Sequence, residues 1–260
     1  MIGAIIGDII GSRFEFNNTN QYWFDMFTNR NSFTDDTICT LAIADAVMKG
    51  VDYRTKLLEW CRDYPNPMGC YGGSFARWIQ SDDPQPYNSF GNGSAMRVSP
   101  VAWLYDNLDD VLREAEKTAC VTHNHPEGIK GAKAVAHAIW YLRKNKAIDI
   151  FEFIDVMDEY YPDFIHTEFS PGKFDETCQG TVPLCLNIMV LSENFEDAIR
   201  RAISWGGDSD TIGAIVGSMA EAAWGVPNVI RNNALSYLDE RMIRTIWEFN
   251  SKMIFSKTMV

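Results

Sequence analysis

Apolar residues recur at helical spacing along most of this chain, and convincing period-two alternation is almost absent. That pattern restricts the fold to packed helices. Residues 2–12 set Gly3, Gly7 and Gly11 at i, i+4 and i+8, a stripe of small residues where a second helix can approach closely. Residues 35–49 follow an acidic start with Ile38, Leu41, Ala42 and Met48 and stop at Gly50, a C-cap residue. Stretches 54–62, 110–121, 127–143, 151–160, 181–191, 195–204, 211–224 and 238–255 read the same way, with Pro126, Pro162 and Asn194 at starts or stops. Segments 64–100 and 162–180 are loop-rich, and loops that long in a compact domain tend to be functional. No long Pro/Gly/Ser linker, charge block or tandem repeat divides the chain. The expectation is all-α: a single compact domain over residues 1–260, with its site where loops and helix N-termini meet.

Hydrophobic content of 46% with 22% charged residues is sufficient for a sizeable core. A net charge of −12 argues against non-specific nucleic-acid binding and against an acidic membrane surface. The six cysteines form no C-x-x-C pair, and several sit in apolar helical patterns. They read as buried reduced thiols of a cytoplasmic protein, not as a disulfide or zinc framework. Residues 1–8 carry no Lys or Arg and Asp8 interrupts their apolar run, which speaks against a signal peptide. No segment is long and apolar enough to span a bilayer.

Two acidic clusters stand out: Thr34-Asp35-Asp36-Thr37 and Asp208-Ser209-Asp210-Thr211. Each opens a long apolar run, and more than half the chain separates them. Thr and Asp at a helix start cap free N–H groups and suit the helix dipole, which accounts for either cluster alone. Carboxylates interleaved with hydroxyls also form the hard-oxygen set that Mg²⁺, Mn²⁺ or Ca²⁺ prefers. Trp205-Gly206-Gly207 before the second cluster suggests backbone brought close to a ligand, and Gly213-Ala214 and Gly217-Ser218 after it make a thin helix able to pack deep. Deep packing would draw the acids inward, where they need partners. A calcium EF-hand starting at Asp208 fails, because positions five and twelve would be Ile212 and Met219.

Asp8 and Glu15 are seven residues apart, about two turns at roughly 3.6 residues each, so they share a face if the helix persists. That face is either a solvent side or part of a site. Gly91-Asn92-Gly93-Ser94-Ala95-Met96-Arg97 is a glycine-rich loop without the P-loop or Rossmann pattern. It is either an ordinary turn or a cradle whose N–H groups hold a phosphate, with Arg97 assisting. His123 and His125 form an H-x-H pair with no further His or Cys at zinc spacing. His123 is a candidate hydrogen-bonding residue and His125 equally a structural one; His137 and His166 receive no role.

Taken together, these segments resemble the ADP-ribosylglycohydrolase family, which includes the dinitrogenase-reductase-activating and ADP-ribosyl-acceptor hydrolases. The matching residues are Gly7-Asp8-x-x-Gly11-x-x-x-Glu15, Phe33-Thr34-Asp35-Asp36-Thr37, Gly91 to Arg97, Thr122-His123 and Gly206-Gly207-Asp208-x-Asp210-Thr211, in the family's order. The resemblance implies an all-α orthogonal helical domain and a centre of two Mg²⁺ or Mn²⁺ ions. It implies Thr34, Asp35, Asp36, Asp208, Asp210 and Thr211 as ligands, with Glu15 at the metals. It also implies that Gly91, Asn92, Gly93, Ser94, Ala95, Met96 and Arg97 hold the diphosphate and distal ribose, and that His123 contacts substrate.

The implied reaction cleaves the bond between C1 of the distal ribose and an acceptor, with water as nucleophile and oxocarbenium character at C1. Glu15 is the preferred base or proton shuttle, with Asp35 or Asp36 competing. An aromatic should stack on adenine, the candidates being Phe90, Tyr87 and Trp205. The expected partner is an ADP-ribosylated protein or a small ADP-ribose conjugate, with arginine favoured as acceptor, serine open, and a monomer favoured. The rival readings are a Mg²⁺-dependent hydrolase of another nucleotide or phosphoester, and a catalytically silent ADP-ribose-binding protein.

Overall fold

The computed structural model describes residues 1–145 and 149–258. Among them there is no β-strand, only an isolated antiparallel bridge between Gly91 and Thr177. The all-α expectation holds. At the centre, α1 (Ile2–Gly11) lies against α12 (Ser209–Trp224). Every residue of α1 is buried, and α12 is buried from Ser209 to Ala220. The glycine stripe explains how two helices come so close. A Cβ at Gly213 would stand 2.5 Å from the Gly7 carbonyl oxygen, and one at Gly11 would stand 2.6 Å from Asp210 Cα. Only hydrogen fits between the two backbones.

Around this pair stand α2 (Asp35–Lys49), α3 (Tyr53–Asp63), α7 (Leu108–Cys120), α8 (Pro126–Lys144), α10 (Cys178–Val190), α11 (Phe195–Trp205) and α14 (Glu240–Thr258). Their starts follow capping chemistry. Thr34, Asp52, Asn107, Thr177 and Asn194 each accept a backbone N–H in the first turn of the helix that follows. His125 does the same for α8, accepting from Glu127 N at 3.1 Å, which gives it the structural role. Gly50 ends α2 in the left-handed conformation, φ 63°.

Four of the remaining helices are less visible in the sequence. The loop-rich stretch 64–100 contains α4 (Gly73–Gln80) and α5 (Gly93–Met96) and runs into α6 (Ser99–Leu104). These are short, and α4 opens on glycine, so no long apolar period marks them. Helix α13 (Asn228–Leu235) is rich in Asn and buries only Ile230 and Ala234. Helix α9 (Ile150–Asp158) and short 3₁₀ turns at Ser12–Phe14 and Phe164–His166 complete the set. All six cysteines are unbridged. Among the described residues no helix is long and apolar enough to cross a membrane.

Candidate active site

The crossing of α1 and α12 brings the acidic motifs together. Helix α12 presents Asp208 and Asp210 at its N-terminus, and α2 presents Asp35 and Asp36 at its own. Thr211 Oγ1 donates to Asp36 Oδ2 at 3.2 Å, joining residues 175 apart in sequence. The capping reading of the first cluster holds, and it leaves the Asp36 carboxylate facing the second cluster. Thr34 Oγ1 accepts the Asp36 N–H at 3.2 Å, while Asp36 keeps its carboxylate for the site. Asp208 departs from the capping reading: it occupies the N-cap position of α12 but makes no capping hydrogen bond. Its Oδ2 instead accepts from Asn92 Nδ2 at 2.7 Å.

Asp8 is fully buried, so the solvent-side reading of its face is wrong. Its Oδ2 accepts from Thr34 N at 3.0 Å, from Thr37 N at 3.1 Å and from the Thr37 hydroxyl. Asp8 therefore caps α2 from a different helix. The 3₁₀ turn after α1 carries the chain on to Glu15, half-buried beside the cluster. Gly69 closes over it. A Cβ there would stand 2.5 Å from Glu15 Oε2, and its φ of 79° suits glycine for a second reason.

Ligand oxygens of Glu15, Asp208 and Asp210 lie within 4.8 Å of one another. Among the described residues, none of Asp8, Glu15, Asp35, Asp36, Asp208 and Asp210 has a Lys or Arg ion-pair partner. Burial and mutual repulsion push their carboxyls up. Asp8 is raised to about 7 by desolvation and by Asp210, and Glu15 to about 8 by desolvation, Asp210 and Asp8. Asp35, Asp36 and Asp208 stand well above the usual carboxylate range, mainly through desolvation, and Asp210 is raised for the same cause. Asp8 Oδ1, Asp36 Oδ1 and Asp210 Oδ1 are buried without any hydrogen-bond partner. Orphaned carboxylate oxygens that deep are costly unless a cation meets them.

The glycine loop forms the facing wall. Asn92 N donates to Glu176 O at 2.7 Å, and Cys178 N donates to Phe90 O at 2.9 Å, tying the loop to segment 174–178. Ser94 faces away, donating to Gly128 O at 2.7 Å. Arg97 is 1% exposed, and its Nη2 donates to Thr118 O at 3.0 Å and Thr122 Oγ1 at 2.8 Å. Thr122 Oγ1 thus accepts from Arg97, and its own proton points to His123 Nδ1, 2.6 Å away. We assign the His123 proton to Nε2, the edge turned toward Gly91 and Gly93. Burial and the Arg97 charge hold His123 well below its ordinary pKa, so it is a neutral donor. Arg97 thus braces the histidine.

A cavity of about 740 Å³ joins these walls. Glu15, Asp35, Asp36, Asp208, Asp210 and Thr211 line one end, and Gly91, Asn92, Gly93, Met96, Arg97 and His123 another. Thr34, Ser94 and Ala95 are fully buried and stand behind the lining. Tyr87 and Phe90 face the cavity, whereas Trp205 packs edge-on against Phe169 away from it.

A family model, ADP-ribosylglycohydrolase, matches residues 1–253. The chain belongs to the ADP-ribosylglycohydrolase family. It is 25% identical over 268 residues to the ADP-ribosyl-[dinitrogen reductase] glycohydrolase of Rhodospirillum rubrum, covering 94% of this chain and 90% of that one. It is 23% identical over 268 residues to the ADP-ribosylarginine hydrolase Tri1 of Serratia proteamaculans, covering 88% and 71%. Among solved structures, one named ADP-ribosylglycohydrolase-related protein complex shares the fold, with a TM-score of 0.73, 22% identity and 97% coverage of both chains. Like its relatives the protein is a hydrolase.

Asp8 and Asn18 were not read from the sequence as members of the candidate site, and Asn92, expected at the substrate, instead makes its hydrogen bonds to other side chains. Asp8 anchors α2, and the signal was a carboxylate set inside an unbroken apolar helix. Asn92 fixes the Asp208 carboxylate and also donates to Thr181 Oγ1 at 3.1 Å. Asn18 accepts from Gly207 N at 2.8 Å and donates to Gly207 O at 2.9 Å, locking the turn before Asp208 to the segment carrying Glu15. Nothing in the sequence marks Asn18, because its partner lies 189 residues away. For a divalent-metal cofactor the fit is good: hard oxygens only, orphaned and buried, with net negative charge.

Proposed function

We propose that the protein hydrolyses the glycosidic bond between ADP-ribose and an acceptor, releasing ADP-ribose, and that it works as one domain. The preferred acceptor is a protein arginine, with serine or a small ADP-ribose conjugate as the alternatives. One observation carries the reading: unpaired carboxylates from distant motifs converge in one cavity whose opposite wall is the Gly91 loop with a neutral histidine behind it. Thr34, Asp35, Asp36, Asp208, Asp210 and Thr211, with Glu15 at the edge, would hold two Mg²⁺ or Mn²⁺ ions. When bound, such ions orient substrate oxygens and make water more acidic. Six unbridged cysteines suit a reducing, cytoplasmic setting.

The chain's own groups do the rest. Departure of the acceptor builds positive charge at C1 of the ribose, and the carboxylates of α2 and α12 stabilise it. Glu15 sits half-buried in the lining, beside Asp208 and Asp210 yet open to the cavity, where its carboxylate can reach a substrate oxygen or a water. We assign it the proton transfer, with Asp35 and Asp36 as the competing choices. Backbone N–H groups around Gly91–Gly93 and the Nε2–H of His123 are the donors for substrate oxygens. Calorimetry with ADP-ribose tests the reading. Binding that needs Mg²⁺ or Mn²⁺ and vanishes in Asp36→Asn supports it; metal-indifferent binding in that variant contradicts it.

A further inference from the structure

The cavity holds a second aromatic surface that the assignment of the ADP-ribose half leaves unused. Phe16 and Phe174 both line it, and their rings stack at 6.2 Å between centroids with 21° between planes. Phe16 is 75% exposed and Phe174 47% exposed. Exposed apolar area of this size gains nothing for the isolated fold. The pair is nonetheless held in place. Asn18, two residues after Phe16, brackets Gly207, and Gly172, two residues before Phe174, donates its N–H to Trp205 O at 2.8 Å. Two segments far apart in sequence are thereby clamped so that the rings meet.

ADP-ribose brings one base, and Tyr87 and Phe90 beside the Gly91 loop supply a platform for it. Tyr87 lies 6.1 Å from the His123 ring and Phe90 5.3 Å from the His125 ring. Phe16 follows Glu15 directly, so its pair flanks the carboxylate that acts at the bond to be cut. We infer that Phe16 and Phe174 form the acceptor subsite, an aromatic platform that selects a planar cationic leaving side chain, the guanidinium of ADP-ribosyl-arginine. This rests on the hydrolase reading above. A guanidinium stacks on an aromatic face and is drawn by its negative quadrupole, while Glu15 adds a carboxylate at the platform's edge. A seryl group has no face to stack and no charge. The large exposure of Phe16 leaves room for the acceptor's main chain to pass out to solvent.

The test compares Phe16→Ala, Phe174→Ala and Phe16→Tyr with the wild type on matched arginine-linked and serine-linked ADP-ribosyl peptides, with ADP-ribose affinity measured by calorimetry. Both alanine variants should lose about five- to tenfold in kcat/KM on the arginine-linked peptide, the scale of one cation–π contact on a partly exposed ring. On the serine-linked peptide they should stay within about threefold, and ADP-ribose affinity should not move. Phe16→Tyr should keep the preference. Equal losses on both peptides, no loss on either, or a matching loss of ADP-ribose affinity (the pair then holds the adenine) would overturn the inference. A wild type that cuts only the serine-linked peptide overturns it while leaving the hydrolase reading intact. A wild type that cuts neither overturns the inference before any variant is made, and leaves the hydrolase reading only its small-conjugate alternative.

Discussion

Replacing Asp210 by Asn should stabilise the metal-free protein while abolishing turnover. Asp210 shares a cluster with Glu15 and Asp208 whose ligand oxygens lie within 4.8 Å of one another. Coulomb's law at that separation, with an effective dielectric constant near 20, gives about 3.5 kcal/mol of repulsion per ionised pair. Partial protonation and the exposure of Glu15 reduce the realised relief to about 1–3 kcal/mol. The pH dependence has a definite sign. These acids have folded-state pKa values raised above their unfolded values, with Asp8 at about 7 and Glu15 at about 8. Between roughly pH 4 and 8 the unfolded chain therefore binds fewer protons than the folded one, and stability of the metal-free protein falls as pH rises. Asp210→Asn should flatten that fall, and Mg²⁺ should reverse it in the wild type only. Urea denaturation at pH 5 and pH 8, with EDTA and with Mg²⁺, measures all of this. A variant less stable than wild type at pH 8 in EDTA, or one still stabilised by Mg²⁺, would refute the reasoning.

Three further outcomes follow from the geometry. Gly213→Ala pushes a methyl group to 2.5 Å from the Gly7 carbonyl oxygen, so overpacking of about 1–3 kcal/mol should outweigh the helix-propensity gain of about 1 kcal/mol. Chemical denaturation reads the loss, and wild-type stability would show that α1 and α12 are further apart than described. Asn92→Ala frees the Asp208 carboxylate, and calorimetry should report weaker Mg²⁺ binding by about tenfold, the usual scale for a residue that orients a ligand. Unchanged affinity would remove Asp208 from the ligand set. Arg97→Met leaves Thr122 and Thr118 O without their donor, costing about 1–3 kcal/mol in stability, and frees His123 to change tautomer and titrate nearer its ordinary range. NMR titration of His123 should show the upward move, and an unmoved pKa would sever the link from Arg97 to His123.

What could be read in advance was whatever local chemistry writes into a short window. Thr34 and Asn194 announce helix starts, Gly50 announces a stop, and the Gly3-Gly7-Gly11 stripe announces a close helix approach. The thin face of α12 at Gly213 and Gly217 was visible as well. That the two glycine faces meet each other is a tertiary fact, and no single window holds it. Asp8 shows the limit most clearly. On a helix wheel it shares a face with Glu15, which suits solvent or a site equally. Only the arrival of the α2 N-terminus at its Oδ2 separates the two. Arg97 was readable as a phosphate ligand because arginine beside a glycine loop commonly is one. Its burial against α7 places the charge behind His123. Asn18, Phe16 and Phe174 matter only through partners far along the chain. Helices α4, α5, α6 and α13 were missed because short or Asn-rich segments carry little apolar period.

The central claim is that this acidic cavity cuts ADP-ribose from an acceptor with the help of divalent ions. Its most direct test is release of free ADP-ribose from arginine-linked and serine-linked ADP-ribosyl peptides in Mg²⁺, in Mn²⁺ and in EDTA. The account predicts release with a divalent ion, faster from the arginine-linked peptide, and none in EDTA. Release that persists in EDTA, or none under any condition from protein that binds ADP-ribose, would contradict it.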